Sequence, residues 1–579
     1  MNVKIAMNLK SLFLGLALCA VALVTVGAQS PADPQIPRLE KRGQATQLIV
    51  DGKAWLVLGG ETANTASSDL AYMKTVWPRL ARLNLNTVLV AVAWSWVEPT
   101  EGRFDFTLVD ALLDGARQNN LRVVFLWFGS WKNGISSFVP AWVKADQQRF
   151  PRGQIKSGKS IEVLSTLSEA NREADTRAYV AFMRHLKEVD GHRRTCLMIQ
   201  MQNEVGVLGD SRDRNAAASA AFAGAVPKEL MDYLGKNHAQ LYPDLARRWA
   251  AAGGKTAGTW QDVFGAGATA DEAFMAWNYA RYLERVTAAG KAEYPLPVFT
   301  NTWIVQPEDL GPGDYPSGGP EPLTIDIWKA GAPSIDINAP DIYLTNFSDW
   351  VDWFHRPNNP IFVPESRADA GGVANAFFAI GQHAGIGYSP FGIDDTSRMV
   401  ALRGGPDTGA AVPREVDNLP LPKGYALLGQ MTSLILEAQA KGTIAAVSLT
   451  LDKQKQNVPL GNYTVGFEVR RNRRNPAQVP VPGYALVIAA GPDEYFVAGS
   501  DIQVTFTPRT PGPEIAGIAT AEAGRFENGR WVPSRQRSGD DILLDYDLSG
   551  AAARNQSGSG LRFNADGPTV QRVTLYRYR

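Results

Sequence analysis

The stretch CLMIQMQNEVG, residues 196–206, poses the central question of this 579-residue chain. Its apolar texture ends in Gln202, Asn203 and Glu204, and then a glycine follows within two residues. A core strand gains nothing by finishing that way, because each buried amide or carboxylate gives up water without a guaranteed partner. The pattern makes sense if a strand carries Glu204 to the edge of a cleft. Seven other runs share the texture: WLVLGGE (55–61), TVLVAVAW (87–94), RVVFLWFG (122–129), VFTNTW (298–303), INAPDIY (337–343), PIFVPE (360–365) and GIGYSPFGI (385–393).

Helix-patterned segments lie between these runs, among them 108–120, 174–188, 271–290 and 371–384. Eight strand–helix units predict an α/β protein built on a (β/α)8 TIM barrel. Continuous apolar runs, rather than strict alternation, suit strands covered on both faces. An Ala- and Gly-rich insertion at about 207–270, after the fourth strand, contains the helix-like KELMDYLGKNH (228–238) and YPDLARRWAAAG (242–253). Past residue 440 the texture changes to short β-runs (TIAAVSLTLD, YTVGFEVRR, GYALVIAAG, IQVTFTP, RVTLYRYR) broken by Gly, Pro and Asn, as an appended all-β domain requires. The expected layout is a leader at 1–28, a barrel at 29–440 and a β-sandwich-like domain at 441–579.

The leader reading rests on Lys4 and Lys10 ahead of the apolar SLFLGLALCAVALVTVGA (11–28), with cleavage expected after Ala28. The competing reading is an uncleaved anchor, which the run barely has the length for. Without the leader only Cys196 remains, so no intrachain disulfide can form. An exported, disulfide-free chain points to a bacterial periplasm or to secretion, with no stable membrane association once the leader is gone. Lys and Arg (58) balance Asp and Glu (58), which leaves no electrostatic footprint for nucleic acid. The cluster RRNRRN at 470–475 reads as a solvated turn between β-runs.

In such a barrel the C-terminal strand ends face the active-site mouth. Here those ends carry Glu61, Glu98, Trp131, Lys132, Asn133, Asn203, Glu204, Asn301, Trp303, Tyr343 and Glu365. Glu204 and Glu365 follow the fourth and seventh strands, opposite one another. Paired carboxylates are what glycosidic bond cleavage uses, one protonated to release the leaving oxygen and one ionised to attack the anomeric carbon. Tyr343 is positioned to donate to Glu365, and Asn203 to reach a sugar 2-hydroxyl. Taken alone, either glutamate reads as a solvated strand end, and the pairing is what gives them meaning. Glu98 reads equally as a loop cap, and Trp131 and Trp303 equally as packing. The five His show no metal-ligand spacing, and no nucleophile elbow or phosphate loop occurs, so neither metal nor organic cofactor is expected.

QNE (202–204) and PES (364–366) resemble the acid/base and nucleophile motifs of retaining (β/α)8 glycosidases. WPRLARLNLNTVLVAVAWSWVEPTEGRFDF (77–106), GGETANTASSD (59–69), WFGSWKNG (127–134) and PAWVKAD (140–146) resemble glycoside hydrolase family 35 β-galactosidases, in the bacterial branch that bears a C-terminal β domain. The resemblance implies Glu204 as general acid/base, Glu365 as nucleophile and Asn203 at the 2-hydroxyl. It implies an exo-acting β-galactosidase that trims plant oligosaccharides such as xyloglucan fragments. Two departures, Ala91 where animal and plant members have Tyr and Gly129–Asn133 where they have Glu-Trp, mean that galactose is recognised differently here. Glu61, Glu98, Lys132 and Asn133 are the candidates for that. The alternatives are another sugar specificity, as in a β-glucosidase, β-mannosidase or endo-glycanase, or a carbohydrate-binding protein without turnover. The β domain is open to glycan binding, bracing of the barrel or homodimer formation.

Overall fold

The computed structural model describes residues 35–304, 310–395, 419–450, 452–469, 482–542, 559–564 and 567–579. The leader at 1–28 and the basic cluster at 470–475 lie outside these. The described chain from Gln35 onward forms one compact unit, and no helix in it is long and apolar enough to cross a membrane.

Five of the expected runs make one parallel sheet, in the order Ile337–Asp341, Val298–Trp303, Cys196–Asn203, Arg122–Lys132, Thr87–Ala93. The remaining three connect its edges through shorter contacts. The Ile342 amide donates to the Glu365 carbonyl, and Val363 pairs with Tyr388. Gly387–Tyr388 pairs with Val57–Leu58, and the Leu89 amide donates to the Gly60 carbonyl. Each run is thus hydrogen-bonded to both neighbours, a TIM-barrel-like arrangement.

Side chains along these runs split by parity, as strands must. Val88, Val90 and Val92 join the large outer core with the surrounding helices, whereas Leu89 and Ala91 point inward. They meet Leu126, Phe128, Phe299, Ala339, Phe362 and Ile386 in a separate inner cluster. Leu48 and Val50 enter that cluster too, from a three-stranded sheet, Arg38–Arg42, Ala45–Val50 and Lys53–Trp55, that precedes the first run. The interior is therefore filled with hydrocarbon at one level, and each such buried side chain contributes roughly 1.5–3 kcal/mol.

The expected helices appear as Thr107–Gln118, Glu169–Asp190, Ala268–Glu293 and Ala370–Gln382. The insertion after the fourth run is helical, with Ala216–Ala223, Lys228–Lys236, Pro243–Ala251 and Trp260–Phe264. Three features were not anticipated: the N-terminal sheet, the hairpin Arg152–Gln154/Ser160–Leu164 and the helix Pro420–Lys441.

That last helix ends at Gly442, whose φ of 68° provides a left-handed cap, and the β region begins at Ile444. Its strands form a six-stranded and a four-stranded sheet. Val447, Val465, Val487, Val497, Val504 and Val573 belong to one core that takes strands from both sheets. Residues of the larger sheet that point the other way, such as Tyr484 and Leu486, belong instead to the large core around the barrel. Phe377 of helix Ala370–Gln382 meets Tyr484 with ring centres 4.9 Å apart. Gly381 permits the close approach, because a Cβ there would lie 2.6 Å from that of Ala446.

Candidate active site

Above the hydrocarbon cluster, the same runs end in polar groups. The fourth run finishes in an unusual backbone: Gln202 and Glu204 both adopt positive φ, 59° and 44°. Non-glycine residues hold that conformation only when their surroundings fix it. Here the Gln202 side chain accepts from the Gly129 and Trp131 amides at 3.0 and 3.1 Å and donates to Asp175 at 2.9 Å. Asp175, on helix Glu169–Asp190, also accepts from Trp127 Nε1 (3.0 Å) and Ser130 Oγ (2.7 Å). Burial raises the Asp175 carboxyl to about 6 despite these donors. The Glu204 amide donates to Asn301 Oδ1 at 3.1 Å, so the fifth run pins the turn that presents Glu204.

Glu365 ends the seventh run and is 8% exposed, against 7% for Glu204. Tyr343 Oη donates to Glu365 Oε1, as its position suggests. Burial, followed by the neighbouring Glu365 charge, pushes the Tyr343 phenol well above its ordinary range, so it remains a donor. Glu204, Glu365 and a third residue, Asp341, each offer an oxygen within 4.8 Å of the other two. Three carboxylates that close could be bridged by a proton or by a cation. Asp341 ends the sixth run, is 3% exposed and accepts from Asn301 Nδ2 at 2.7 Å.

Asn301, at the end of the fifth run, is therefore a hub. Its Oδ1 holds the Glu204 backbone, and its Nδ2 donates to Asn203 Oδ1 (3.0 Å) and to Asp341. Asp341 lies in INAPDIY (337–343), two residues before Tyr343 and so on the same side of the strand. That parity was the available signal. Asn203 is fully buried: its Oδ1 also accepts from Gln200 Nε2 (3.0 Å), and its Nδ2 donates to Asn133 Oδ1 (3.0 Å). Lys132 Nζ reaches the same Asn133 oxygen at 2.6 Å and lies over the Phe128 ring, 5.1 Å from its centre. Asn203, Asn133 and Lys132 thus form one connected set beside Glu204.

Glu61, at the end of the first run, is 1% exposed, and neither of its oxygens has a hydrogen-bond partner among the described residues. Burial and then the nearby Glu365 push its carboxyl well up, with Lys132 pulling the other way. A carboxylate buried without donors is costly unless something arrives to satisfy it.

Two expected site residues are taken up by other contacts. Glu98 is occupied as a loop cap, its oxygens accepting from Trp94 Nε1 (2.8 Å) and the Gly102 amide (2.7 Å). Trp131 is fully buried, with Nε1 on the Leu164 carbonyl (3.0 Å) and its ring edge-on to Tyr279 and Tyr282. It is packing, not a sugar platform. Trp303, beside Asp341 in strand register, is 39% exposed.

Residues 64–265, which include Glu204, match the family model of glycoside hydrolase family 42, described as β-galactosidase. Residues 421–546 match a domain of unknown function, DUF5597. The first match makes this segment similar to glycoside hydrolases of family 42. It also corrects the family 35 reading, since family 42 is the one whose model matches. A β-galactosidase of Xanthomonas manihotis is 26% identical over 189 residues, which is 31% of this chain and 29% of the relative. The chain thus spans under a third of the curated relative it matches. Among solved structures, the β-galactosidase of Rahnella sp. R3 aligns with 67% of this chain and 57% of its own, at 17% identity and a TM-score of 0.42. That of Bacillus circulans sp. alkalophilus aligns with 66% and 57%, at 14% identity and 0.44.

Proposed function

We propose that the protein is a retaining, exo-acting β-galactosidase working at the mouth of a closed (β/α)8 barrel. The observation that carries this reading is the placement of Glu204 and Glu365, on opposite runs, with oxygens within 4.8 Å and a phenol hydrogen-bonded to one of them. Carboxylates about 5–5.5 Å apart leave no room for a water between them and act by double displacement.

In the first half-reaction Glu365 attacks the anomeric carbon while Glu204 gives its proton to the departing glycosidic oxygen. The Tyr343 hydroxyl stabilises the ionised nucleophile and orients it. In the second half-reaction Glu204, now ionised, takes a proton from water as its oxygen displaces Glu365 from the sugar. Asn203 has one Nδ2 hydrogen left after its bond to Asn133, and this faces the sugar 2-hydroxyl. Glu61 accepts from further sugar hydroxyls, with Lys132 and Asn133 completing the recognition, and Trp303 offers a face to the next sugar. A site that pairs its buried polar groups only with the right hydroxyls rejects analogues lacking them. The natural substrate is galactose at the non-reducing end of plant oligosaccharides such as xyloglucan fragments, met in the periplasm or outside the cell.

The test is a panel of aryl β-glycosides (galactoside, glucoside, mannoside, fucoside, arabinoside) together with galactosylated xyloglucan oligosaccharides. The galactoside is expected to have the highest kcat/KM. A different preferred sugar would overturn the specificity, and binding without turnover of every substrate would overturn the enzyme reading.

A further inference from the structure

We propose that Asp341 is a positioning residue that shares a proton with Glu204 and so keeps the acid/base protonated for the first half-reaction. This rests on the roles given above to Glu204 and Glu365. Asp341 is 3% exposed, it offers an oxygen within 4.8 Å of one of Glu204, and its Oδ1 receives no N–H or O–H from the described residues. Two carboxylates bond to each other only when one of them carries a proton. Its other oxygen is fixed by Asn301 Nδ2, the same amide group whose oxygen holds the Glu204 backbone. One residue thus sets the distance between both partners.

Charge favours the same conclusion. The groups facing Asp341 are Glu204 from the fourth run, Glu365 from the seventh and Glu61 from the first, with neutral Asn301 from the fifth and neutral Tyr343 on its own run. Lys132, from the third run, is the cation acting on this group through Glu61. Four buried carboxylates beside one ammonium cannot all ionise. Tyr343 donates to Glu365. Glu61 and Asp341 are the two whose carboxyls burial pushes well up, and of these the proton on Asp341 is the one the Asp341–Glu204 pair shares, where the leaving oxygen needs it. Asp341 acts through Glu204. It acts by holding the proton on Glu204 to higher pH than a lone carboxyl would.

The experiment compares wild type with Asp341→Asn in the full-length protein. Asparagine offers Glu204 a permanent N–H donor, which favours the ionised form. The basic limb of kcat/KM on phenyl β-galactoside should move down by about one pH unit, a tenfold loss near the limb. With 2,4-dinitrophenyl β-galactoside, whose leaving group needs no proton, the two proteins should agree within about twofold in kcat. An unmoved limb, or equal losses on both substrates, would refute the proposal. If Asp341→Asn does not fold, the infrared difference between wild type and Glu204→Gln at pH 7 decides. A protonated carboxyl C=O band lost in the variant supports the shared proton, and no band overturns it. That spectrum reads the proton whether or not galactosides are cleaved, whereas a wild type that turns over none of them counts against the proposed function alone.

Discussion

The two halves of the same eight runs differ completely in chemistry. In one, Leu89, Leu126, Phe299, Phe362 and Ile386 fill the interior with hydrocarbon. In the other, Glu61, Asn203, Asn301 and Asp341 are equally buried and carry charge or amides. The first half needs only volume and apolarity, so it tolerates rearrangement but not emptiness. The second is fixed by directed bonds from three elements to one turn, and its buried acids oppose folding. The first half stabilises what the second requires.

This contrast can be broken in order of size. Glu365→Ala should abolish turnover of every galactoside while leaving thermal unfolding near wild type, because it removes a charge that its neighbours repel. Glu204→Ala should lower kcat/KM on poor leaving groups by roughly 10²–10⁴-fold, and with a 2,4-dinitrophenyl leaving group azide should raise its kcat and give β-galactosyl azide as product. In the hydrocarbon half, Phe299→Ala should cost about 3–5 kcal/mol of stability, read by denaturant unfolding, with the pH profile of the surviving activity unchanged.

Asp175 sharpens the comparison through pH. Its folded-state value of about 6 lies above the ordinary 3.8, so the folded protein binds the extra proton between them. Stability is therefore fullest below about pH 3.8 for this group and is lost as pH rises through 6, by roughly 3 kcal/mol. Asp175→Asn should flatten that part of the curve. The smallest effect is expected from Asn301→Ala, which frees the Glu204 turn by a fraction of an ångström. Its kcat should fall by up to about 10²-fold with KM nearly constant.

Much of the scaffold was legible because burial on both faces leaves continuous apolar runs, and helices such as Ala268–Glu293 keep their period. The rim was legible where a residue type is rarely buried without purpose: Glu204 and Glu365 stand at strand ends, and Tyr343 reaches Glu365. Asp341 and Asn301 were harder, since their meaning comes from a neighbouring strand and not from their own segment. Glu98 and Trp131 misled because other groups take up their polar atoms: Trp94 Nε1 and the Gly102 amide donate to Glu98, and Trp131 Nε1 donates to the Leu164 carbonyl. The hairpin at 152–164 and the sheet at 38–55 use short, partly exposed strands that leave little periodic signal.

The most direct measurement is to trap the intermediate with 2-deoxy-2-fluoro-β-galactosyl fluoride and find the modified residue by peptide mass mapping. The account predicts one sugar per chain, attached to Glu365, and none on Glu204, Asp341 or Glu61. Attachment to any other carboxylate, or inactivation-free turnover of the reagent with no adduct in a galactosidase-active sample, would contradict it.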